Sequence, residues 1–172
     1  LYDRLEYVKA AKEYEEIAID DADTYVYERL ANCYYNLFKT DEAERWYRQA
    51  ISEGSTSADT YFKYSQMLKA NGKYEEHNKW MAKFAAAKPK DKRAISFNEN
   101  PNYIPQILAK VTKFEVKNSE INTKNSDFGA IAAGNIVYFT STRDGGRKYG
   151  WNDQPYLDIY MASYDGDGEL SS

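Results

Sequence analysis

The hydrophobic period of this chain changes once along its length, and that change limits what it can fold into. Up to about Pro89, apolar residues recur at helical spacing with almost no breakers. From about Phe114, short β-branched and aromatic runs alternate with Gly, Asn and Asp. A period near 3.6 places apolar residues on one face of a helix, whereas a period of 2 places them on one face of a strand. The chain therefore reads as α + β in separate parts. The expected divisions are helical repeats over 1–92, a capping helix and linker over 93–112, and an antiparallel β part over 113–172. Lys88–Arg93 and Asn98–Asn102 read as punctuation around short helices. Pro101 stands just before a helix expected from Tyr103 to Lys110, whose Ile104, Ile107 and Leu108 would cap the last hairpin.

The helical part repeats. Leu30 and Tyr64 hold equivalent places in two successive helix–turn–helix units, so the repeat is about 34 residues long. The first full unit, about Thr24 to Ser57, carries Tyr27, Leu30, Ala31 and Tyr34 on one helix and Ala43, Tyr47 and Ala50 on the next. Small residues at Ala31, Ala43 and Ala50 allow close helix approach, and the aromatics fill the space between hairpins. Thr40 or Asp41 is expected to cap the second helix, and Gly54 to close it in a left-handed conformation. The next unit, about Ala58 to Asp91, keeps Tyr61, Ser65, Gly72, Tyr74 and Pro89, but has His77 and Phe84 at small-residue places and Leu68 where Tyr is usual. Tyr7, Ala10, Tyr14 and Ile17 read as the second helix of an earlier partial unit. This half resembles the tetratricopeptide repeat family; a helical bundle without repeats is the alternative.

In the β part, Ile136 and Tyr138 alternate with Val137 and Phe139, so both faces of one strand are apolar and both are expected to be covered, as in a propeller blade or a sandwich. Leu157, Ile159 and Met161 repeat the character, and Asp165-Gly166 supplies a tight-turn dipeptide. Ser126–Gly129, Gly134–Arg143 and Leu157–Tyr160 together resemble one blade of a PD40 (TolB-like) β-propeller.

Helical repeats running into such a blade, with Asn100–Tyr103, Ser126–Gly129 and Trp151–Asp158, resemble the OmpA-family envelope proteins of Bacteroidetes, of the PorE-like kind. The resemblance implies a periplasmic protein associated with the outer membrane, working with PorP/SprF-type barrels in type IX secretion or gliding motility. It also implies a tether to peptidoglycan through a C-terminal OmpA-type domain. The chain opens at Leu1 without an initiator Met or a signal sequence, so it reads as a trimmed piece whose targeting segment lay upstream.

Composition narrows the function classes. A net charge of -4 argues against a nucleic-acid partner held through phosphates. No run of about 18 apolar residues is present, so no transmembrane segment is expected. No catalytic, cofactor or metal site is expected either. The single His77 sits mid-helix without a second ligand at metal spacing, and the single Cys33 falls on a buried helix face. Asp165-Gly-Asp-Gly168 lacks the remaining ligands of a calcium loop, and Gly145-Gly146 lacks the context of a nucleotide site. Arg143 and Asp158 are expected to pair across the long loop from Asp144 to Pro155.

Binding to a protein is the remaining expectation. In tetratricopeptide arrays the first helices of successive hairpins line a concave groove. The resemblance places Tyr25, Glu28, Asn32, Tyr35 and Asn36 there, joined by Asp59, Phe62, Gln66 and Lys69 from the next unit. Aromatics and amides suit an extended peptide or a partner's loop. Glu28 stands where a clamp for a terminal carboxylate would need a basic residue. Tyr149 and Trp151 in the long loop form a second candidate contact. The function read from these features is a non-enzymatic scaffold. The rivals are a regulatory part of a propeller-containing hydrolase and a generic tetratricopeptide hub.

Overall fold

The computed structural model describes residues 1–20, 22–110, 114–164 and 170–171. The expected Asp165-Gly166 turn, the Asp165–Gly168 motif and the 112/113 boundary lie outside the described residues. The chain is α + β, helices followed by strands, in two compact units, Leu1–Val111 and Thr112–Ser172.

The first unit opens on a 3-10 turn, Tyr2–Arg4. It continues through α1 (Tyr7–Asp20), α2 (Thr24–Asn36), α3 (Thr40–Ser52), α4 (Ala58–Ala70), α5 (Tyr74–Ala87), α6 (Lys92–Glu99) and α7 (Tyr103–Leu108). Three helices, each one repeat after the last, start on a side-chain cap. Asp23 accepts from the Val26 N–H (3.0 Å), Ser57 from the Thr60 N–H (3.3 Å) and Asp91 from the Arg93 N–H (2.9 Å). Each side-chain oxygen satisfies one of the N–H groups that a helix start leaves without a partner, which stabilises it by about 1 kcal/mol. The starts of α3 and α5, Thr40 and Tyr74, share the same offset. Thus α6 starts in the same register as α2 and α4, which the punctuation-like composition of Lys88–Arg93 concealed. It stops at Glu99 because Pro101 disfavours the helical conformation for Asn100.

Helix ends correct one expectation. Neither Thr40 nor Asp41 caps α3; the N-cap is Lys39 and makes no side-chain capping bond. The preceding turn instead closes tightly onto α2, with the Lys39 N–H bonded to the Tyr34 carbonyl (2.9 Å). Lys73 does the same to Leu68 (2.8 Å) and Ser55 to Ala50 (2.9 Å). Each closure uses a left-handed residue just before the donor. Gly54 (φ 101°) and Gly72 (φ 75°) serve in two of them, but Phe38 (φ 54°) serves in the third. An L side chain in that conformation costs about 1 kcal/mol, and Phe38 recovers little by burial, being 73 % exposed.

From α1 to α6, each helix packs on its chain neighbours. Leu30, Ala31, Cys33, Ala43, Tyr47 and Ala50 are wholly buried between α2 and α3, and burying a side chain the size of Leu stabilises by about 2 kcal/mol. Tyr27 stacks on Trp46 (5.9 Å between ring centroids), and at the equivalent place in the next hairpin Tyr61 meets Trp80 (5.3 Å). In that second hairpin the places of Ala43 and Ala50 are taken by His77 and Phe84, both buried. Phe84, Met81, Ala85 and Ala94 of α6 make a second small core. The expected cap by α7 is partial. Ile104 is buried, but Ile107 and Leu108 are exposed, because only the first turn of this six-residue helix lies beside α4, where Lys69 Nζ donates to the Tyr103 hydroxyl (3.3 Å).

A buried carboxylate joins the hairpins. Glu44 of α3 accepts from Lys73 Nζ (2.7 and 2.9 Å) and Asn71 Nδ2 (2.8 Å) in the α4–α5 turn, and from Arg48 on its own helix. Burial pushes the Glu44 pKa up, but the bonds from Lys73 and Asn71 outweigh it and hold the carboxyl below its ordinary value. Among the described residues no helix is long and apolar enough to cross a membrane.

The second unit is an antiparallel sheet in chain order, β1 (Asp127–Ala133), β2 (Ile136–Ser141), β3 (Asp158–Tyr164) and the two-residue β4 (Leu170–Ser171). Its register shifts between Phe128 and Ile131. Only one face is covered. Val137, Phe139, Ser141 and Ala162 are buried, whereas Ile131, Tyr138 and Met161, paired across three strands, are 69, 42 and 67 % exposed. The expectation of cover on both faces is not met among the described residues of this unit. Arg143 does not pair with Asp158. It pairs with Asp127 (2.9 Å), bonds the Ile121 carbonyl (2.9 Å) and lies over Phe139, so it fastens the segment before β1 to the end of β2.

Replacing Glu44 by Ala is expected to lower the stability of the helical unit by about 1–2 kcal/mol, the carboxylate being buried but its cations partly exposed. Urea unfolding of the full chain, followed by helical circular dichroism, measures this. An unchanged midpoint would show that the joint contributes nothing.

Candidate partner-binding groove

The residues expected in the groove divide between two different tasks. Phase alone places them on one side of α2 and α4, but the neighbouring helices decide which side chains are consumed by internal bonds. Glu28 is consumed: its carboxylate accepts from Thr60 Oγ1 (2.7 Å) and from Ser55 Oγ, both hydroxyls belonging to buried residues, and so ties α2 to the next hairpin. Asn32 is consumed as well, its Oδ1 accepting from the Tyr47 hydroxyl (2.8 Å) and Lys63 Nζ (2.7 Å). Asn36 is exposed and bonds back to the Asn32 carbonyl (2.7 Å). Asp59 pairs with Lys63 (2.7 Å). Tyr25 is exposed at the start of α2 with the Arg29 guanidinium over its ring (5.1 Å), and it lines neither of the cavities described next.

Tyr35, Phe62, Gln66 and Lys69 behave differently. Phe62, Gln66 and Lys69 line a cavity of about 560 Å3 among α4, α5, α6 and α7. Tyr35 lines a second cavity of about 520 Å3, together with Phe38, Met67, Tyr74 and Ile104. Gln66 and Lys69 belong to both walls, so the two cavities adjoin on the helical unit and are together called the depression. Their sizes fall in the range of small-ligand and side-chain pockets. Tyr35 is held edge-on against Tyr47 (6.3 Å), and burial raises its pKa. Phe62 packs on Phe84 (5.2 Å) with the Arg93 guanidinium over its ring (4.2 Å). Arg93 is oriented in turn by two bonds to Asp91 (2.8 and 3.0 Å), whose pKa those bonds lower to about 2.

Lys92, Arg93, Phe97, Tyr103 and Phe38 complete this wall and were not anticipated. The signal for the α6 residues was available: Asp91 stands one repeat after Ser57, marking a third helix start. The sequence marks α7 as a cap on the last hairpin, but not that its Tyr103 and Ile104 would line this wall.

His77 lies on the floor of the first cavity. Its Nδ1 lies 2.8 Å from the Ser65 carbonyl, which can only accept, so Nδ1 carries the proton. Burial, aided by the charge of Lys69, lowers its pKa although the Ser65 carbonyl favours the protonated ring. Burial also pushes the Cys33 thiol up to about 12, leaving it un-ionised at neutral pH.

In the second unit, Tyr149 and Trp151 sit on a folded hairpin. The Tyr149 N–H bonds the Gln154 carbonyl (2.9 Å), the Tyr156 N–H bonds the Arg147 carbonyl (2.8 Å), and Tyr149 packs on Tyr156 (4.4 Å). Tyr149 thus builds the loop, and Trp151, 44 % exposed, is presented at its tip.

No protein-family model matches this chain, and no curated protein matches it either.

His77 supplies a pH test of this geometry. Its folded pKa lies below the unfolded value of about 6.5, so the unfolded state binds more protons. The stabilisation is present above about pH 6.5 and is lost as pH falls through the folded pKa. Urea midpoints of the helical signal at neutral and mildly acidic pH should drop more for the wild type than for His77→Leu. Equal drops would mean that the ring is not held neutral.

Proposed function

We propose that this chain is a non-enzymatic adaptor that holds a partner protein in the depression lined by Tyr35, Phe62, Gln66 and Lys69. The observation that carries the reading is that four side chains from successive hairpins meet at one open concave wall, while their neighbours Glu28 and Asn32 are spent on rigidity. A surface of this kind offers a preformed contact in which aromatic rings pack side chains and an amide pairs with backbone.

Within this reading the hairpins are tetratricopeptide units, supported by the helix starts at Thr24, Ala58 and Lys92. The sheet is a PD40-type blade, supported by its strand order and by the apolar face of Ile131, Tyr138 and Met161, which a neighbouring blade would cover. The setting is the periplasmic face of the outer membrane in a type IX secretion or gliding assembly, with a PorP/SprF-type barrel as partner. Peptidoglycan would be reached only through an OmpA-type domain. Trp151 is a secondary anchor. The mechanism is noncovalent: the groove holds one partner, and the sheet presents a second surface.

Substitution at Phe62 would disturb the second core, so the test uses Gln66→Arg and Lys69→Glu together. Tagged full-chain protein is used to capture proteins from detergent-solubilised Bacteroidetes envelopes. Recovery of an outer-membrane barrel by the wild type, reduced about tenfold by the double variant at unchanged helicity, is the expected result. Barrel recovery indifferent to the groove, or recovery of no barrel, refutes it.

A further inference from the structure

The wall of the depression carries one sign of charge. Lys69, Lys92 and Arg93 stand in it, and neither cavity has an Asp or Glu among its lining residues. This is a local reversal, because the whole chain has 27 acidic residues against 23 basic ones. Arg93 is neutralised by Asp91. Lys69 reaches a neutral hydroxyl on Tyr103, and among the described residues neither Lys69 nor Lys92 has a carboxylate partner. Two ammonium groups without a carboxylate partner, on one concave wall, give it a positive potential.

The other end of the depression is apolar, and it contains the one aromatic held in a left-handed conformation. Phe38 stands one repeat before Gly72 and does the same turn-closing work. The turn itself would be better served by Gly, and the ring belongs to neither core cluster. Its unfavourable backbone is therefore unexplained by folding, whereas its place beside Tyr35, Met67 and Ile104 gives a ligand an apolar seat. Between the two ends, Gln66 donates through Nε2 to Ser65 Oγ (3.2 Å), which leaves its carbonyl oxygen for a peptide N–H.

We propose that the occupant of this groove is an extended acidic peptide segment, with an aromatic or branched aliphatic side chain in the Phe38 cavity and Asp or Glu side chains against Lys69 and Lys92. The proposal rests on the groove reading of the preceding section and adds the chemistry of the partner. The carboxylates are side chains of the partner, not its chain end.

The test is selection of random peptides displayed without a free C-terminus on the immobilised full chain. Enriched sequences are then resynthesised with amidated ends and titrated by fluorescence anisotropy. Enriched peptides should pair acidic residues with an aromatic or branched aliphatic one. Their affinity should fall about tenfold with Lys69→Glu plus Lys92→Glu, and fall again with added salt. Phe38→Gly should weaken them while leaving the thermal midpoint equal or higher, which separates a contact role from a structural one. Neutral or basic peptides that are nevertheless lost on Gln66→Arg would overturn the acidic specificity and leave the groove standing. Binding that appears only when the same peptides are made with free terminal carboxylates would overturn it too. If no peptide is enriched, or none is sensitive to Gln66→Arg, both readings fall.

Discussion

A single helical hairpin cannot bury its own apolar face, and the helical unit is organised around that constraint. Leu30, Tyr34 and Tyr47 are removed from water because α1 lies on one side of their hairpin and α4 on the other. Removing any one layer would expose the aromatic filling of the next. The second hairpin shows the consequence. With His77 and Phe84 in place of alanines, it needs more covering, and α6, starting in the same register, supplies Ala94.

Polar groups fix the spacing that burial alone would leave loose. Glu44 reaches from α3 to the α4–α5 turn, Glu28 from α2 to Ser55 and Thr60, and Asn32 from α2 to Tyr47 and Lys63. Each is an acceptor satisfied across elements, so a shift of one hairpin would break several bonds together. This rigidity bears on the groove, because Gln66, Lys69 and Tyr35 then hold their positions without a ligand, and binding orders fewer groups.

How much of the site was legible divides along the same line. The resemblance implied which side of α2 and α4 lines a groove, and helical phase gathers Tyr35, Phe62, Gln66 and Lys69 on that side. Phase could not tell Asn32 from Gln66, since one has a lysine and a tyrosine across the interface and the other has an open wall. Lys92 and Arg93 were hidden by their composition: a Pro-Lys-Asp-Lys-Arg stretch reads as a linker unless Asp91 is recognised as a third cap. The same limit applies to the sheet. Alternation marks Ile136 to Phe139 as a strand apolar on both faces, but it cannot say which face is covered.

By itself the sequence determined the starts of α2 and α4, one repeat length apart, and the change to strands, but neither the cap of α3 nor the start of α6. The features it determined depend on local capping, chain chirality and side-chain period, which neighbouring residues settle among themselves. Only the tertiary structure decided which carboxylates became joints, which lysines were left facing a cavity and where Phe38 stands. Those outcomes depend on what lies across an interface, and residues far apart in the chain are brought there only by packing.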